Sequence, residues 1–287
     1  MAITLGQNLT AFSTRMNLNK VTTSLSETME RLSSGLKINR SSDDAAGLVI
    51  SENMEAVIRS SRQAMNNIQT AKSYLAVAED GMVSISDHYQ RINDLLTNMA
   101  NGTNDINSNT AAVREIIERL EEINRLADST NYNGKEMLDG TAGSIIVQIG
   151  GTADKETSTL DISAALSDCH VSTMMTTLPD NLNPDKADFN PNNENCRAYM
   201  KTVQEAIAQI STRRGLLGAY ENRMESSYDS MTARIESLEE GKSVYTDTDI
   251  AEEATNMVQK QIMQQINVSV LTNANSMQSL ALSLLGG

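Results

Sequence analysis

Apolar or half-apolar residues recur at Ile68, Ala71, Leu75, Ala78, Met82, Ile85, Tyr89, Ile92, Leu96 and Met99, three and four positions apart in alternation. A 3.5-residue repeat held over four heptads predicts a long helix with a seam of coiled-coil type. A shorter stripe follows at Val113, Ile116, Leu120, Ile123 and Ala127, and a third at Val203, Ile207, Ile210, Leu217, Met224, Tyr228, Met231, Ile235 and Leu238. A helix of about 40 residues is about 60 Å long at ~1.5 Å per residue. The predicted fold class is therefore mainly α, an elongated bundle of long antiparallel helices.

The punctuation agrees. All three prolines, Pro179, Pro184 and Pro191, stand in one short window, and the chain on either side has none. Proline inside a helix costs about 3 kcal/mol, so its absence permits long helices flanking a short irregular insert. The prolines lie among Asn and Asp, the residues of turns. Ahead of this insert, Asn133-Gly134 and Asp139-Gly140 read as turns and Ile145 to Ile149 as a strand closed by Gly150-Gly151. A small β-hairpin region is expected there.

The two ends are unlike the rest. Residues 1–14 and 261–287 carry no charged side chain, yet each has an apolar stripe: Leu5, Leu9, Phe12 and Met16 at the start, and Ile262, Ile266, Val270, Ala274, Met277, Ala281 and Leu284 at the finish. Solvated helices normally carry charges on their outer face. The ends are expected to be surrounded by protein, either by each other in an ordinary helical hairpin or by neighbouring molecules. Assembly is the favoured expectation, because a long charge-free terminus is otherwise a solubility liability.

Composition narrows the function. With 37 Asp and Glu against 23 Lys and Arg, the net charge of −14 argues against nucleic acid and anionic membrane surfaces. Two histidines make no HExxH motif and no multi-ligand metal site, so no metal or other cofactor is expected. Aromatic residues are 3% of the chain, few for a thick globular core. There is no secretory signal pattern and no apolar run long enough to span a membrane. On composition alone the chain would be placed in the cytoplasm.

Four segments change that expectation. LSSGLKINRSSDDAAGLVISENM (Leu32 to Met54) closely resembles the N-terminal signature of bacterial flagellins. QRINDLLTNMANGTND (Gln90 to Asp105) and ERLEEINRLADSTNYNGKEMLDG (Glu118 to Gly140) resemble the next two family blocks, and Ile250 to Leu285 resembles the C-terminal helix. The resemblance covers about residues 1–150 and 200–287 in the family's order. It implies a non-enzymatic structural subunit of a hollow helical filament used for swimming, exported unfolded by the flagellar type III apparatus and located outside the cell. The implied organisation is an inner-core helix at 1–34, a spoke at 35–54, outer-tube helices with the β-hairpin at 55–150, a solvent-facing variable insert at 151–198, a returning outer helix at 199–240, and a C-terminal inner-core helix at 241–287. The first and last helices pair as a coiled coil. A hook–filament junction protein, which shares the terminal helices, and a secreted coiled-coil adaptor are the alternatives.

The resemblance also implies partners and sites. The chain would bind itself through the inner-core stripe (Leu5, Leu9, Phe12, Ile262, Ile266, Val270, Met277 and Leu284) and through the spoke residues Asn39, Arg40, Asp43 and Asp44, engaged across subunits. An export chaperone would bind the C-terminal helix, and filament-cap and hook-associated proteins would meet the polymer. An innate Toll-like receptor of animals would read Gln90, Arg91, Leu95, Glu115 and Arg119. The chain departs from the family at Asn93 and Leu96-Thr97-Asn98, at Val244-Tyr245-Thr246, where a basic segment is usual, and at Ser276-Met277, where a proline is common. Cysteine is unusual in the family, and Cys169 and Cys196 flank the prolines. They either close the insert as a disulfide in the oxidising exterior or remain two free thiols. Cys169-His170 is not expected to act as a nucleophile pair, since adjacent residues point apart and nothing in the pattern orients the base. His88, within the α-helical stripe, is expected to pack rather than bind a ligand.

Overall fold

The computed structural model describes residues 8–101, 103–175, 178–186, 190 and 192–285, with the side chains of 278 and 281–285 left aside. Its elements run α1 (Leu9–Ser34), α2 (Ala45–Met99), α3 (Ile106–Ser129), β1 (Asn131–Tyr132), β2 (Lys135–Glu136), β3 (Ile146–Gln148), α4 (Lys155–Ser158), β4 (Thr159–Asp161), α5 (Val171–Met174), α6 (Asn193–Thr246) and α7 (Ile250–Leu285). The mainly α class stands. The chain divides into two units, residues 1–56 with 236–287, and residues 57–235.

In the second unit all ten stripe positions from Ile68 to Met99 are buried in one core with the five stripe residues of α3. Val203, Ile210, Leu217 and Met224 of α6 join them, with Ile207 and Tyr228 packed at the edge. Polar contacts on the flanks give the helix directions. Arg91 meets Glu115, and His88 meets Arg119, so α2 and α3 are antiparallel. Asn93 meets Gln204, Glu79 meets Arg214, and Lys72 meets Glu225, so α2 and α6 are antiparallel too. Asp105 caps α3, its carboxylate accepting from the Ser108 N–H at 3.0 Å.

The β region is two separate antiparallel pairs. β1 and β2 close around Asn133 and Gly134, both at positive φ (51° and 76°), the backbone a tight hairpin turn requires. β3 pairs with β4 in the register Ile146 to Asp161, Val147 to Leu160 and Gln148 to Thr159.

The insert differs from expectation. Residues 151–198 hold short elements instead of a free loop, and Leu160, Ile162, Ala165, Leu166, Cys169, Val171, Met174, Leu182 and Cys196 are buried in the helical core. Several of these apolar residues fall two to four apart, enough to press a short segment onto a surface without any long periodicity. Helix α6 starts at Asn193 and continues to Thr246, so the boundaries drawn at 198 and 240 both fall inside one helix. Cys169 and Cys196 are free and buried, so the disulfide alternative is not realised. Both thiols belong to the same buried core.

Gly81 packs α2 tightly against Thr130 and Leu138, which flank the β1–β2 hairpin. A Cβ there would stand 2.8 Å from Thr130 Oγ1, 2.9 Å from its Cγ2 and 3.0 Å from Leu138 Cδ1. Thr130 cannot swing away freely, because its hydroxyl donates to the Leu126 carbonyl at 2.7 Å. Gly81→Ala gains about 1 kcal/mol of helix propensity but overpacks a filled site, at about 1–3 kcal/mol. We expect net destabilisation in thermal unfolding, while Gly218→Ala, with open space around it, should stabilise by up to about 1 kcal/mol. Equal effects at the two positions would contradict the packing.

Candidate assembly surface

The first unit is built on α1 and α7, which run antiparallel side by side. Asn8 Nδ2 donates to the Ala274 carbonyl at 2.9 Å, Gln264 reaches Thr22, Lys260 Nζ donates to Thr28 Oγ1 at 2.6 Å, and Arg31 Nε donates to Glu253 Oε1 at 2.8 Å. Glu253 and Lys260 are seven apart and share a face of α7, while Thr28 and Arg31, three apart, share a face of α1. These four residues were not singled out from the sequence. The available signal was that Glu252, Glu253 and Lys260 are the sole charges of the last helix.

This pairing leaves the apolar stripe outside. Leu9, Phe12, Ile262, Ile266, Val270 and Met277 are between 42% and 73% exposed, and Val258, Met263 and Val268 are about half exposed. Few residues on α1 are buried, namely Thr14, Leu25 and Thr28. An ordinary helical hairpin would hide its apolar stripe between the two helices. Here Leu25 is buried and Leu18, Val21 and Leu271 are half-buried, while other large apolar side chains of both helices face outward. Leu5 and the Leu284 side chain lie outside the described residues.

The spoke is tied to its own chain. Gly35 ends α1 in the left-handed conformation (φ 74°), its N–H donating to the Arg31 carbonyl at 2.8 Å. The next residues pair with the segment between α6 and α7: Lys37 N–H donates to the Thr246 carbonyl at 2.6 Å, and Thr248 N–H to the Gly35 carbonyl at 3.0 Å. Asp43 Oδ2 accepts the N–H groups of Asn39 (3.1 Å) and Arg40 (2.9 Å), and these bonds hold its carboxyl below the usual aspartate range. Asp44 caps α2, accepting from Ala46 and Gly47 at 3.0 and 2.9 Å. Arg40 forms a two-pronged pair with Glu30 at 3.1 and 2.8 Å, on an exposed face. Asp249 opens α7 in the same manner, accepting from Ala251 at 2.8 Å and Glu252 at 3.2 Å. Val244, beside this ladder, is 82% exposed.

In the second unit, Arg91, Glu115 and Arg119 come together. Glu115 Oε1 accepts from Arg91 Nε at 3.1 Å and from Arg119 Nε and Nη2 at 3.0 and 2.9 Å. The Arg119 contact, then that of Arg91, lowers the Glu115 carboxyl below its ordinary range. Gln90 is exposed and bonds to Ser86, whereas Leu95 leans on the core. The set is one face of two helices, with Leu95 partly withdrawn from it. His88 is half-buried, its Nδ1 3.4 Å from Arg119.

Glu253 gives the helix pair a pH dependence. Burial opposes its ionisation, but hydrogen bonds from Arg31, Asn256 and Thr28 outweigh that and lower its carboxyl below the ordinary 4.5. A lowered folded value means the contribution is complete above the ordinary value and is lost as pH falls through the folded one. We expect Glu253→Gln to cost about 1.5 kcal/mol at pH 7, a cost that shrinks in thermal unfolding as pH falls below the ordinary glutamate range. A difference that persists unchanged from pH 7 down to the acid limit of folding would contradict the ionic origin.

The bacterial flagellin N-terminal helical region matches residues 6–143, and the bacterial flagellin C-terminal helical region matches residues 200–285. A flagellin of Halalkalibacterium halodurans is 31% identical over 283 residues, covering 98% of this chain and 99% of that protein. The flagellar filament 33 kDa core protein of Treponema phagedenis is 31% identical over 295 residues, with the same coverage of 98% and 99%. A solved structure of a putative flagellar hook-associated protein from Vibrio parahaemolyticus, 14% identical, covers 71% of this chain and 99% of its own with a TM-score of 0.58, a likeness of fold. With both terminal regions matched and relatives that span nearly the whole of it, the chain belongs to the bacterial flagellin family.

Proposed function

We propose that the α1–α7 pair is the surface through which copies of this chain polymerise into a flagellar filament, with the spoke holding that pair in place. The family is a structural one, and the reading of a filament subunit rests on it. The observation that carries the mechanism is the outward apolar stripe on the paired helices, whose stretches 1–14 and 261–287 carry no charge. Buried apolar surface favours association at roughly 25 cal/mol per Å², and neutral amides around the stripe add no charge to be desolvated. Contacts between unlike patches of successive copies propagate without closing, which gives a helical polymer. Ends that order fully only beside their neighbours would delay assembly until export is complete. The assembled protein then lies outside the cell.

The other partners follow from the same surfaces. An export chaperone would cover the stripe of α7 before assembly, and cap and hook-associated proteins would meet it at the filament's ends. The Arg91–Glu115–Arg119 face is the surface offered to an animal Toll-like receptor by free monomer.

Two experiments test the reading. Purified chain added to sheared filament seeds should extend them under electron microscopy, and a chain lacking residues 261–287 or carrying Phe12→Asp with Ile266→Asp should not, at unchanged helicity of residues 57–235. Failure of the natural chain to extend seeds would favour a junction protein or a secreted adaptor, and growth by the variants would remove the stripe from assembly. Arg40→Ala separates folding from assembly at the spoke. Its pair with Glu30 is exposed, so folding should change by less than about 1 kcal/mol, while seeded growth should slow by about tenfold or more, equivalent to ~1.4 kcal/mol lost per contact. Normal growth would confine Arg40 to its own chain.

A further inference from the structure

The insert is fastened to its helices at one point by a cluster that the filament reading does not use. His170 lies between two carboxylates, with Nδ1 2.6 Å from Asp168 Oδ1 and Nε2 2.9 Å from Asp128 Oδ1 on α3. The Asp168 carboxylate also accepts the His170 N–H at 2.9 Å and the Thr173 hydroxyl at 2.5 Å. Around it, Asn124 of α3 accepts the Val171 N–H at 3.0 Å, and the Cys169 N–H donates to the Leu138 carbonyl at 2.7 Å. Arg213 of α6 donates to the Ser167 and Asp168 carbonyls at 3.0 and 2.7 Å and touches Cys169 Sγ at 3.2 Å.

We propose that Asp128, His170 and Asp168 form a protonation-gated clasp that docks residues 167–174 on α3, and that opening it uncovers the thiol of Cys169.

The chemistry requires the charged ring. A carboxylate only accepts, and a neutral imidazole carries one N–H, so it can donate to one aspartate and presents a lone pair to the other. Both contacts are satisfied together only by the imidazolium. The groups facing the ring are acidic: Asp128 from α3 and Asp168 from its own segment. Arg213 is the cation on the α6 side, and it is occupied with the carbonyls of the insert. Burial opposes charge on His170, but its contacts with Asp168 and Asp128 prevail and its pKa is raised above 6.5. A raised folded value means the clasp is closed below the ordinary histidine range and is released as pH rises through the folded value. Release leaves two carboxylates beside a neutral ring.

Cys169 reports the state. It is fully buried, and burial pushes its thiol up despite Arg213, so in the closed state it is shielded and protonated. Opening exposes it to solvent.

The test follows thiol labelling of the full-length chain carrying Cys196→Ser, from pH 5.5 to 9. At each pH the rate is divided by that of the same chain in denaturant, which removes the thiol's own ionisation. Protection of Cys169 should fall about two- to fivefold through the titration of His170, the range of a partly exposed ion pair. His170→Gln should show the lower protection at every pH, and Asp128→Asn, which keeps Asp168 in place, should remove most of the pH step. Protection that is flat with pH in the natural clasp, or an unchanged step in His170→Gln, overturns the proposal. Should Cys196→Ser unfold the chain, amide exchange at Val171, Thr173 and Met174 in the natural sequence gives the same readout, with the same outcomes deciding.

Discussion

The terminal helices are matched in register but unfinished in burial, and much of the rest follows from that constraint. Arg31–Glu253, Lys260–Thr28 and Asn8–Ala274 fix which residue of α1 stands beside which residue of α7. They contribute direction rather than bulk stability. The large apolar side chains that could have closed the pair face outward instead. A pair of helices held this way is specified before it is stable, since most helix stability in proteins comes from burying an apolar face. Under the proposed assembly other molecules supply the remaining burial, and the charge-free stretches 1–14 and 261–287 are compatible with close approach by protein.

The spoke solves a different problem. Its carboxylates are spent locally, with Asp43 on the amides of Asn39 and Arg40, Asp44 on the first turn of α2, and Asp249 on the first turn of α7. Local side-chain-to-backbone bonds of this type favour turns and caps over continued helix. The acidic residues of the signature therefore shape the backbone, and Arg40 with Glu30 is the part that remains exposed and available. A sequence signature that looks like a charged interface is, in this chain, largely a folded turn with one arginine presented on it.

Much of the second unit was legible because its information is periodic. Ten stripe residues of α2 and five of α3 all lie in the core, since a 3.5-residue repeat over many turns leaves one face to bury. The Asn133-Gly134 turn was legible because few residues adopt two successive positive φ angles. The docking of the insert was not. Segments of three or four residues have no period, and what holds them is long-range: Arg213 to the Ser167 carbonyl, Asn124 to the Val171 amide, and His170 to Asp128. Read locally, Pro, Asn and Asp suggested turns and an irregular insert, and the resemblance implied that it faces solvent. The same blindness left the cysteines undecided, because spacing from prolines says nothing about which wall each thiol packs against.

The departures from the family pattern also find a physical account in which atoms do the bonding. At Val244-Tyr245-Thr246 a basic segment is replaced, yet the ladder there runs from the Lys37 amide to the Thr246 carbonyl and from the Thr248 amide to the Gly35 carbonyl. Main-chain bonds are indifferent to which side chain each residue carries, so the spoke keeps its path while an apolar Val244 is presented in place of charge. On α2, Leu96 keeps the seam position that the repeat demands, and Thr97 turns its hydroxyl to the Asn93 carbonyl on the outer face. Substitution is tolerated where the backbone or the seam carries the structure. Its consequences fall on the exposed faces.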